Sequence, residues 1–159
     1  MDSIFVKSVH PYIGAMLLCL LVLSCGMGTY SAPAETPMSI QGLKKFCGLP
    51  ASCNPPVGWE GRTVAVEGYL DKANVFDKRR YPNLPYEKFK IGDRKGNTLE
   101  VWATAADNGP IFDKLDRRRS DRIVVHGKLA AVKAPVMGEC KLGVKVLIHD
   151  PNQIELQTP

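Results

Sequence analysis

Alternation of apolar and polar positions is the strongest pattern in this chain. Over residues 63–71, Val64, Val66, Gly68 and Leu70 fall on one face and Ala65, Glu67 and Tyr69 on the other. That period of two predicts a half-buried strand. Residues 87–93 predict a second, with Phe89 and Ile91 inward and Lys88 and Lys90 outward. The run Asp93-Arg94-Lys95-Gly96-Asn97 is a turn sequence, so residues 98–104 should return as its hairpin partner. In that third strand Leu99, Val101 and Ala103 face in, and Glu100 and Trp102 face out. A fourth strand spans 122–132, with Ile123, Val125, Gly127 and Leu129 inward. Residues 144–149 read as a fifth strand, broken by Asp150-Pro151-Asn152 and resumed over 153–156.

Two short stretches have a helical period instead. In 39–47, Ile40, Leu43, Phe46 and Cys47 share a face, Ser39 is placed to cap and Gly48 to end the helix. After Ala103, Asn108 or Asp107 can cap a helix that Pro110 tolerates in its first turn. Its apolar side is Ile111, Phe112 and Leu115. The remaining stretches, including 72–85 and 134–143, read as loops.

Three strands, a short helix, then two strands is an all-β order. It resembles the OB-fold, a five-stranded Greek-key barrel. Gly68 and Gly127 hold matching places in Val-Ala-Val-Glu-Gly-Tyr-Leu and Ile-Val-Val-His-Gly-Lys-Leu. Glycine weakens a strand unless a bulge or bend needs it, and the first and fourth strands of an OB barrel bend strongly. The resemblance implies a helix between strands three and four that closes the barrel floor. It also implies a binding face on strands two and three.

The first residues follow another pattern. Residues 13–23 are apolar apart from Gly14 and Cys19, with Lys7 ahead of them. That run is shorter than the roughly 20 residues of a spanning helix and fits a secretory signal core. It ends in Leu21-Val22-Leu23-Ser24-Cys25-Gly26. This resembles the lipobox of bacterial lipoproteins, with Leu23 bulkier than the residue usual at its position. The resemblance implies a signal peptide over 1–24 and an acylated Cys25 anchoring the chain to a membrane. A flexible linker over 25–37 and a barrel domain over 38–159 follow. Gly26 in place of an aspartate implies the outer membrane, facing the periplasm.

Composition adds little until the cysteines are placed. The net charge of +5 in 159 residues is a weak pointer to anionic partners and equally fits solubility. Of five cysteines, Cys19 would leave with the signal and Cys25 would carry lipid. Cys47, Cys53 and Cys140 then remain in a compartment where disulfides persist. Cys47 with Cys53 is one pairing and Cys53 with Cys140 the other, and the pattern does not choose between them.

On the outward face of strands two and three the candidate ligand-binding residues are Lys88, Lys90 and Trp102. The preceding loop adds Lys78, Arg79, Arg80 and Tyr81. An exposed aromatic among cations can stack a ring and hold an anion. Packing of Trp102 under the 72–85 loop is the competing role. Cys47, Cys53, His126 and His149 match no usual zinc spacing, so no metal or cofactor is expected. No phosphate loop, His-Glu-x-x-His or Gly-x-Ser-x-Gly is present, so no enzyme is expected. The expected function is a lipid-anchored envelope module that binds a glycan, peptide or protein. A structural subunit and a single-stranded nucleic-acid binder are the rivals.

Overall fold

The computed structural model describes residues 36–49, 51–53, 58–136 and 139–158. The expected signal peptide, Cys25 and the linker up to residue 35 lie outside them. Among the described residues no helix is long and apolar enough to cross a membrane.

The chain begins with a two-residue strand, β1 (Met38–Ser39), and helix α1 (Ile40–Phe46). Ser39 caps α1 by accepting the Gly42 N–H at 3.1 Å, and Gly48, at φ 66°, takes the left-handed turn that ends it. A second two-residue strand, β2 (Ala51–Ser52), precedes the barrel. The barrel strands are β3 (Thr63–Phe76), β4 (Glu87–Gly92), β5 (Thr98–Ala103), β6 (Arg122–Val136) and β7 (Glu139–Ile148). Helix α2 (Gly109–Asp116) lies between β5 and β6 in sequence, and β8 (Ile154–Leu156) ends the sheet.

Pairing closes the barrel. β3, β4 and β5 form an antiparallel meander; β5 runs parallel to β7; β7 and β6 are an antiparallel hairpin. β6 then pairs with β3, Thr63 opposite Lys128 through Tyr69 opposite Arg122. The ring β3-β4-β5-β7-β6 is the five-stranded Greek-key order of an OB-fold, with α2 in its expected place. The interior holds Val64, Val66, Phe89, Ile91, Val101, Ile123, Val125, Val146 and Ile148, all buried. Ile111, Phe112 and Leu115 of α2 and Ile40 and Leu43 of α1 join the same core.

Two expectations are corrected. β3 does not stop at Asp71 but runs to Phe76, through a register shift between Asp71 and Val75. Asp71 holds that irregularity by accepting the Ala73 N–H and the Asn74 amide at 3.1 and 2.7 Å. Most of the expected 134–143 loop is strand, because β6 and β7 pair out to Val136 and Glu139. Of the two residues offered as a cap for α2, Asn108 sits at the cap position without a side-chain cap bond. Asp107 takes the Gly109 N–H at 2.9 Å instead.

The disulfide joins Cys53 to Cys140, not Cys47 to Cys53. β2 pairs with β7, Ala51 opposite Leu142 and Ser52 opposite Lys141, which carries Cys53 to the hairpin and leaves its Cα 5.5 Å from that of Cys140. Cys47 is instead buried at the end of α1, where its carbonyl accepts the Trp59 indole N–H at 3.1 Å. Burial pushes the Cys47 thiol up to about 11, so it stays un-ionised at neutral pH.

Candidate functional site

Cross-strand pairing puts side chains into rows over the outer barrel surface. One row reads Phe76, Lys88, Trp102, Leu147, Lys128, from β3 across β4, β5 and β7 to β6. The next reads Asp71, Lys90, Glu100, Lys145, Ala130. Lys88, Lys90 and Trp102 therefore meet on one face, in the arrangement read from the alternation of β4 and β5.

This cluster is internally bonded. Lys88 donates to Glu100 at 2.7 Å, and its side chain is only 14% exposed. Its ammonium lies 4.8 Å from the Tyr86 ring centroid, 5.5 Å from Trp102 and 5.7 Å from Phe76. A cation this withdrawn from water gains from aromatic faces as well as from its counter-ion. The Trp102 indole N–H donates to the other Glu100 oxygen at 2.9 Å. Burial works to raise the Glu100 carboxyl, but the bonds from Lys88 and Trp102 and the charges of Lys88 and Lys90 outweigh it and hold it below its ordinary range. Tyr86 packs against Trp102 with centroids 5.3 Å apart.

Lys145 completes the face and was not among the sequence candidates. Its ammonium is 3.6 Å from the Trp102 ring centroid. The alternation of Val144, Val146 and Ile148 marks Lys145 as outward, and the OB order places the fifth strand beside the third. Those two facts together would have found it. Lys90, Lys128, Lys141 and Lys145 make no ion pair among the described residues.

The loop residues behave differently. Arg79 is bonded to Asp77 and to Asp113 of α2, each at 2.7 Å, and Arg80 is bonded to Asp116 at 3.0 Å. The Asp77 side chain is 3% exposed. Its burial favours the neutral acid, yet the Arg79 bonds and the charges of Arg79 and Arg80 prevail and lower its pKa. The Lys78 backbone N–H donates to Glu87, whose other oxygen takes the Asn108 amide at 2.6 Å. Arg79 and Arg80 thus fasten the loop to α2, and their charge is matched there. Tyr81 stays exposed, its ring 6.1 Å from Phe76.

No protein-family model and no curated protein matches the chain. Among solved structures it is similar to a mitochondrial single-stranded DNA-binding protein from S. cerevisiae. The two share 17% identity over 61% of this chain and 94% of that one, with a TM-score of 0.41. A likeness at that level bears on neither ligand nor role.

Proposed function

We propose that this chain is a lipid-anchored module of a bacterial cell envelope that binds an anionic partner on the outer face of β4, β5 and β7. The anchor would be acylated Cys25, and the outer membrane its site, with the barrel on the periplasmic side. The observation that carries the binding role is the charge of the face. Lys90, Lys145, Lys141 and Lys128 lie on or beside it without an ion pair among the described residues, while its carboxylate, Glu100, is committed to Lys88 and Trp102. Lys145 covers one face of Trp102 and Tyr86 packs against the ring. Ionic contact with an acidic peptide, protein or glycan is therefore favoured over stacking of bare rings.

The test is a fluorescence titration of the full chain in neutral detergent, following the combined emission of Trp59 and Trp102. The ligands are polyglutamate, an anionic glycan and single-stranded DNA, at low and high salt. The Lys90→Ala/Lys145→Ala variant should weaken binding of the preferred polyanion, each change costing about two- to fivefold, as exposed charge pairs do. Unchanged affinity in that variant would remove this face and favour the structural-subunit reading. Saturation by DNA alone, with a steep salt slope, would replace the acidic partner with nucleic acid. For the anchor, Cys25→Ser should abolish incorporation of labelled fatty acid in cells, and retained label would refute it.

A further inference from the structure

We propose that a second site, away from the β4–β5–β7 face, binds a small phosphate ester. It is a cleft of about 400 Å³ where β1, β3, the β4–β5 turn and the start of β6 meet. That volume suits a small molecule rather than a polymer. Tyr69 of β3 stands in it with 38% of its surface exposed. The Arg94 guanidinium, from the turn, lies 5.5 Å over the Tyr69 ring. Arg122 is directly opposite Tyr69 on β6.

The hydrogen-bonding balance of the cleft sets the class of ligand. Glu67 accepts from Arg122 at 2.9 Å. Asp93 is occupied within its own turn, accepting the Lys95 and Asn97 backbone N–H groups at 2.9 and 2.8 Å and the Asn97 amide at 2.8 Å. Donors, by contrast, are left over. Arg94 has no ion-pair or hydrogen-bond partner among the described residues, and Arg122 uses one nitrogen on Glu67. The Tyr69 hydroxyl has no partner among them, and Ser39 uses its oxygen on Gly42 while its hydroxyl hydrogen remains to donate. Two guanidiniums and two hydroxyls thus line one cleft from β1, β3, the turn and β6. Donors arriving from several elements suit a tetrahedral anion, and arginine is the side chain best matched to phosphate oxygens. The charges of Arg94 and Arg122 cancel those of Glu67 and Asp93. Selection therefore rests on hydrogen-bond geometry, which admits an ester of one or two charges rather than a polyanion.

Such a phosphate could belong to a soluble ester or to a lipid headgroup, and two titrations separate them. The full chain in neutral detergent is titrated calorimetrically with glycerol phosphate in one arm and with a short-chain phosphatidylglycerol in the other. Saturable binding is expected, weakened about tenfold or more by Arg94→Ala, the loss typical of a charge-assisted bond. Arg94 is exposed on a turn, so its replacement should leave thermal melting and the polyanion titration of the outer face unchanged. Saturation by glycerol phosphate assigns the soluble class, and saturation by the lipid alone assigns the headgroup. Saturation in neither arm, or equal affinity in Arg94→Ala, overturns the proposal whether or not the outer face binds its own partner.

Discussion

Gly127→Ala is expected to lower stability by about 3 kcal/mol or more, the upper range for overpacking a closed core, and to abolish soluble protein if the margin is small. Gly127 sits inside the barrel on β6, opposite Val64 of β3. A Cβ there would lie 2.5 Å from the Leu147 carbonyl oxygen, 2.5 Å from a Val146 methyl and 3.0 Å from an Ile148 methyl. The first of these is backbone of β7, so relief requires parting strands that hold the ring closed. Glycine is needed here because two backbones approach closely, not because of an unusual dihedral. Gly143→Ala is the control on β7, since its Cβ would meet Val132 atoms at an ordinary 3.7 and 3.8 Å. That change should stay within about 1 kcal/mol. Urea denaturation of the two variants checks the pair, and equal midpoints would refute the steric account.

Removing the Cys53–Cys140 bond is the second large effect. The bond closes a loop across a sequence separation of 87 residues, for which chain entropy predicts about 4 to 5 kcal/mol. Engineered cross-links often deliver less, so Cys53→Ser/Cys140→Ser should cost about 2 to 5 kcal/mol. Reductant should lower the wild-type midpoint by a similar amount and leave that of the double variant unmoved. A variant as stable as the oxidised parent would show that β2 and α1 hold their places without the bond.

Much of the barrel was readable because β4 and β5 alternate in burial and the inward positions of β3 and β6 keep the same period, although Ala65 and Val124 on the opposite face are buried too. Phe89 and Ile91, Leu99 and Val101, and Ile123 and Val125 all point where the period of two places them. The extension of β6 and β7 was hidden because Lys133, Ala134 and Pro135 carry no apolar alternation, and Pro135 argues against a strand interior. There the strands are sustained by pairing with each other, and β2 adds to β7. β1 and β2 are too short for any period to register. The glycines were noticed for the right strands, but their cause in close backbone approach depends on which strand lies opposite. For the site, alternation found Lys88, Lys90 and Trp102, whereas Lys145 required the strand order as well. Arg79 and Arg80 looked like free loop cations because their partners on α2, Asp113 and Asp116, are more than thirty residues away, and because nothing in the sequence marks the nearby Asp77 as buried. The choice between two disulfides turned on β2, which has only two residues.

The placement of the bond also fixes how the domain carries mechanical load. A pull on the chain ahead of Met38 meets β1, held to β3 only at Val66 and Glu67, and then α1. These peel in sequence, because neither lies behind a closed ring. Peeling stops at Cys53, where tension passes through a covalent bond to Cys140 on β7. The seam between β3 and β6, which opens with the Leu129 N–H donating to the Arg62 carbonyl at 2.9 Å, is therefore shielded from force applied at that end. Reduction would move the same load directly onto that seam.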